Sequence, residues 1–179
     1  PDTEIYKLEI PGGQYSNLKP QVESLGLGHR FDEVKAMYGT VNEMLGDIVK
    51  VTPSSKMVGD LAIFMVQNNL DADNIVERGA ELNFPDSVVS YFKGMMGQPQ
   101  NGFPEDIQKV VLKGEQPITC RPGELLEPVD FAKVRASLPV GMRGEGDVLA
   151  AALYPKVMKE YAQFIKEFGE LAPMETVVL

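Results

Sequence analysis

Proline and glycine punctuate this chain so regularly that no long uninterrupted element can form in it. The 13 prolines and 17 glycines are spread along 179 residues rather than gathered into a linker. They interrupt the chain roughly every fifteen to twenty residues, the spacing of short helices joined by tight turns. The prediction is a mainly α fold, with helices near 16–25, 32–45, 52–68, 71–80, 85–95, 104–113, 129–137 and 147–168. In the second of these, Val34, Met37, Tyr38, Val41, Met44 and Leu45 recur at helical spacing and give one buried face. Phe84-Pro85-Asp86 and Phe103-Pro104-Glu105 each set a proline at a first helical position with an acid in the first turn. Tyr154-Pro155 should interrupt the last helix. Residues 4–10 alternate apolar and polar and predict a short strand or extended lead-in, and 175–179 read as the start of another strand. An edge strand needs a partner sheet, so both ends read as parts of something larger.

Composition removes several function classes. A net charge of −9 and a pI near 4.7 argue against nucleic acid and against an anionic membrane face. The longest apolar run, Leu61 to Val66, is far short of the roughly 20 residues of a spanning helix. The N-terminal residues carry neither a basic region nor an apolar one, so no signal peptide is expected. Cys120 is the one cysteine and His29 the one histidine, which excludes an internal disulfide and a His-rich metal site. A soluble protein of a reducing, cytoplasmic compartment is expected. Cys120 reads as a packed or idle thiol, His29 as a surface residue, and Met95-Met96 as core or packing surface.

The helix at 52–68 is unlike the others. Met57, Val58 and the run from Leu61 to Val66 leave it no polar stripe, so it should be buried on nearly every side. Gly59 costs about 1 kcal/mol there relative to Ala, which close packing of another backbone would offset. At its start stands Thr52-Pro53-Ser54-Ser55-Lys56, with Thr52 predicted as N-cap and Pro53 as the first helical residue. Hydroxyls, free backbone N–H groups and the Lys56 ammonium could together hold a carboxylate, an enolate or a ureido oxygen. The same residues also read as a capped helix with a solvent-facing lysine. A second candidate, Pro11-Gly12-Gly13-Gln14-Tyr15, offers close backbone approach beside the Gln14 amide, or simply a strand-to-helix turn.

Together, PGGQYSNL (11–18), the stretch from Leu25 to Val34, GDIVKVTPSSKMVGDLAIFMV (46–66), FPDSVV (84–89) and Ala152-Leu153-Tyr154-Pro155 resemble the pyruvate carboxylase family. The match lies in the C-terminal part of the carboxyltransferase domain, the conserved carboxylase domain, and TPSSK is its most specific segment. Oxaloacetate decarboxylase α subunits and transcarboxylase subunits are the related alternatives. A non-catalytic helical interaction domain is the alternative from another class.

The resemblance implies a funnel of helices capping a TIM-type barrel, with 1–18 leading in from the barrel, 19–170 forming the helical region and 171–179 leading to the next domain. It implies a biotin-dependent ligase that carries CO2 from carboxybiotin to pyruvate, giving oxaloacetate. Thr52 matches the residue that shuttles a proton between pyruvate's methyl group and biotin's ureido nitrogen. Gln14, Ser55 and Lys56 match residues that meet biotin. The divalent metal, zinc or manganese, would sit on the barrel, and biotin on a carrier domain lacking here. The implied partners are barrel, carrier domain and pyruvate or oxaloacetate, within a homo-oligomer, and the chain alone would be inactive. A piece of a larger fold should leave apolar surface at 5–10, 57–66 and 175–179, which a self-contained module would cover.

Overall fold

The computed structural model describes residues 3–169. Ten α-helices follow one another: α1 (Glu4–Lys7), α2 (Gly12–Ser24), α3 (Phe31–Met44), α4 (Ser54–Gln67), α5 (Ile75–Gly79), α6 (Asp86–Phe92), α7 (Glu105–Leu112), α8 (Phe131–Ser137), α9 (Glu145–Leu153) and α10 (Pro155–Phe168). Short 3-10 turns occupy Gly28–Arg30 and Pro122–Leu125, and no strand forms among the described residues. The chain divides into two compact units, Pro1–Leu125 and Leu126–Leu179.

In the first unit α4 is the central element, packed by α2, α3 and α6. Met57, Val58, Leu61, Ala62 and Met65 are fully buried, as the lack of a polar stripe predicts. Leu18 and Val22 of α2, Val34, Tyr38 and Val41 of α3, and Val88 and Phe92 of α6 meet them in one core. Two guanidinium groups close the C-terminal end of α4. Arg30 Nη1 donates to the Val66 carbonyl at 2.9 Å, and Arg78 Nη1 to the Asn69 carbonyl at 2.7 Å. Cations there satisfy orphan carbonyls and complement the helix dipole.

The lead-in departs from expectation. Residues 4–7 form α1 instead of a strand. Glu9, at φ 53°, then turns the chain left-handed and ends any extended run, while Ile10 enters the core. The predicted strand at 175–179 lies outside the described residues. The helix expected at 71–80 begins only at Ile75, because Asp71 and Asn74 hold the preceding backbone in side-chain turns. Asp71 Oδ1 accepts from the N–H groups of Asp73 and Asn74 at 3.0 and 2.9 Å, bonds that compete with helix.

The second unit joins α8, α9 and α10 around Leu138, Met142, Val148 and Met158. Asp130 caps α8 by accepting from the Lys133 N–H at 3.0 Å. Tyr154 separates α9 from α10 and Pro155 opens the latter, the break predicted from the sequence. Val157, Tyr161, Phe164 and Phe168 of α10 stay exposed. An apolar groove of about 810 Å³ lies here, lined by Val134, Leu138, Met142, Met158 and Ile165, and it contains none of the candidate site residues.

Candidate functional site

Thr52, Ser55 and Lys56 gather at the start of α4, and Gln14 reaches it from α2. Thr52 is exposed in the turn that precedes the helix, with a cis peptide bond to Pro53. Pro53 occupies the N-cap and Ser54 is the first helical residue, so the expected roles of Thr52 and Pro53 as cap and first residue are corrected by one position. Ser54 ties down the lead-in instead. Its Oγ accepts from the Val51 N–H at 3.2 Å and lies 2.7 Å from the carbonyl oxygens of Val49 and Val51, to one of which its proton is donated. The Thr52 hydroxyl has no hydrogen-bond partner among the described residues. It borders a cavity of about 430 Å³ between the 45–54 lead-in and the 96–102 loop.

Ser55 is buried, and its carbonyl accepts from the Tyr38 hydroxyl at 3.3 Å. Burial raises the ionisation of Tyr38 far above the ordinary tyrosine range, so its hydroxyl remains a donor there. Tyr91 lines the cavity beside Thr52, and its buried hydroxyl is unpartnered among the described residues. Burial pushes its pKa up to about 12.

Lys56 extends into solvent with its side chain 62% exposed, and its ammonium pairs with the buried Asp60. Asp60 accepts two further bonds, from Gln21 Nε2 of α2 at 3.1 Å and from Ser87 Oγ of α6 at 2.6 Å. Gln14 lies inside α2 rather than in a turn, because the helix already starts at Gly12. It is buried against Gly59, where a Cβ would stand 2.5 Å from Gln14 Nε2 and 3.3 Å from Leu18 Cδ1. The close approach to Gly59 is therefore made by side chains of α2 and not by a backbone, contrary to expectation.

Along α4, Ser55 and Lys56 stand four and three residues, about one turn, before Gly59 with Gln14 against it, while Thr52 sits in the turn that precedes the helix. Asp60, Gln21, Ser87, Tyr38 and Tyr91 complete the surroundings. Gln21 and Ser87 reach Asp60 from distant parts of the chain, which no local spacing in the sequence reveals.

His29, Cys120 and the Met95-Met96 pair lie away from these groups in sequence. His29 is exposed in the Gly28–Arg30 turn, and Cys120 is a half-buried free thiol. Met96 packs against the core, and Met95 is 43% exposed. Among the described residues no three His, Cys, Asp or Glu side chains converge to hold a metal ion, and no helix is long and apolar enough to cross a membrane. The apolar surface expected over 57–66 is corrected: the chain itself covers this segment. Val49 and Val51, beside Thr52, are left uncovered instead, at 77% and 61% exposed.

Residues 5–179 match the conserved carboxylase domain. The chain is 57% identical to the pyruvate carboxylase of Staphylococcus aureus, over 98% of its own length and 16% of that protein's. It is 45% identical to the carboxyl transferase domain of Rhizobium etli pyruvate carboxylase, with a TM-score of 0.85 over 94% of this chain and 29% of that one. A structure of the same Rhizobium etli domain with pyruvate and biocytin matches at a TM-score of 0.84, with the same identity and coverage. The chain thus spans about a sixth of the length of the curated relatives it matches.

Proposed function

This chain belongs to the conserved carboxylase domain family, and from that premise we propose that its residues serve carboxyl transfer between biotin and pyruvate, with Thr52 as the proton relay. One observation carries the reading: the Thr52 hydroxyl is exposed and uncommitted, one turn ahead of Ser55 and Lys56, at the edge of a cavity. A threonine hydroxyl has one proton to give and lone pairs to receive another.

Biotin, when bound, supplies the carboxyl group from its ureido nitrogen as CO2. Thr52 Oγ1 would hold the transferable proton, able to release it toward the bound biotin and to accept one from the pyruvate methyl group, whose carbon takes up the CO2 to give oxaloacetate. The ammonium of Lys56 suits a carboxylated ureido group as it approaches. The Gln14 amide offers both a donor and an acceptor, and Ser55 adds a hydroxyl beside Lys56 in the first turn of α4. These groups fit biotin in polarity and charge.

The divalent metal belongs, in this reading, to a barrel that the chain would cap, and biotin to a separate carrier domain. The high identity to pyruvate carboxylases supports this assignment over oxaloacetate decarboxylase or transcarboxylase. The purified chain with free biotin should then show no decarboxylation of oxaloacetate. Measurable turnover without any barrel would overturn the division of labour.

A further inference from the structure

We propose that Asp60 is a positioning residue for Lys56, itself set by Gln21 and Ser87, so that three helices together fix where the ammonium meets a carboxylated ureido group. The inference rests on the reading of Lys56 given above.

Lys56 projects from the surface, and a lysine stem in solvent ordinarily samples many rotamers. Local helix geometry does not explain its restraint, because lysine four residues before an acid is the weaker order for such a pair. The cause lies in the acid. Asp60 is 9% exposed, and an acid so buried needs partners. Gln21 Nε2 occupies Oδ1, and Ser87 Oγ shares Oδ2 with the Lys56 ammonium. Donors from α2 and α6 thus hold the carboxylate in one orientation before the lysine arrives. The ammonium then spends one N–H on Asp60, and its remaining two are open to an anion from solvent.

The inference also accounts for two polar residues that the proton relay does not use. Gln21 and Ser87 lie 39 and 27 residues from Asp60 in sequence, and each donates to its carboxylate. Both carry a donor aimed at the one buried carboxylate on α4.

The test is a double-mutant cycle in an intact pyruvate carboxylase carrying this segment, read as KM and kcat for free biocytin in oxaloacetate decarboxylation. Lys56→Gln and Asp60→Asn should each raise KM for biocytin about tenfold, with kcat changed less than twofold. Their combination should be no worse than Lys56→Gln alone. Ser87→Ala, a milder change, should raise KM about threefold and likewise add nothing to Lys56→Gln. Unfolding midpoints of the variants, measured beside the parent enzyme, check folding. A KM unmoved by Lys56→Gln sinks the reading of Lys56 and the inference with it. If Lys56→Gln raises KM but Asp60→Asn and Ser87→Ala do not, the inference alone is wrong. Additive effects in the Lys56→Gln background would also overturn it, by assigning Asp60 a purely structural part.

Discussion

The amide nitrogen of Gln14 stands 2.5 Å from the point where a Cβ on Gly59 would lie. Gly59 is thus the floor on which the Gln14 side chain rests, and its helical φ shows that space, not backbone freedom, requires a glycine.

Gly59→Ala should separate stability from function. Alanine gains about 1 kcal/mol of helix propensity over glycine. The clash falls chiefly on the tip of a flexible side chain, which can move aside. Net stability should therefore change by no more than about 1 kcal/mol in denaturant unfolding. Gln14 must leave its place, so in the intact enzyme KM for biocytin should rise as much as in Gln14→Ala. The two substitutions together should be no worse than either.

Tyr91 predicts the alkaline limit of the first unit. Its ionisation is raised from an unfolded value near 10 to about 12, with burial as the cause. A raised value means that the folded state keeps a proton the unfolded state has lost. The contribution is therefore fully present below pH 10 and disappears as the pH rises toward about 12. Tyrosinate absorbance should show a late-ionising component from the buried Tyr38 and Tyr91. Tyr91→Phe should remove an unpartnered buried hydroxyl without loss of stability at pH 7, and flatten part of the alkaline decline.

Much of this fold was legible because its signals are local. The 3.6-residue period located the helices, the apolar α4 declared its burial, and Pro155 broke the last helix where expected. The lead-in was misread because Tyr6, Leu8 and Ile10 alternate over too few residues to tell a strand from a short helix followed by a left-handed turn at Glu9. The cap was misplaced because Thr52, Ser54 and Ser55 are all able cap residues. Only the three-dimensional path of 49–51 selects Ser54 as the tie. At the site, Thr52, Ser55 and Lys56 were readable together as neighbours on one helix end. The convergence of Gln21 and Ser87 on Asp60 was not, because hydrogen bonds across tens of residues leave no periodic trace.

The central claim is that Thr52 relays the proton in carboxyl transfer. Its most direct test is Thr52→Ala in an intact pyruvate carboxylase carrying this segment, with the two half-reactions measured separately. The relay predicts a fall of about 100-fold or more in carboxyl transfer to pyruvate, the scale of a lost general acid–base group, while ATP-dependent carboxylation of biotin is preserved. An equal fall in both half-reactions, or undiminished transfer, would contradict it.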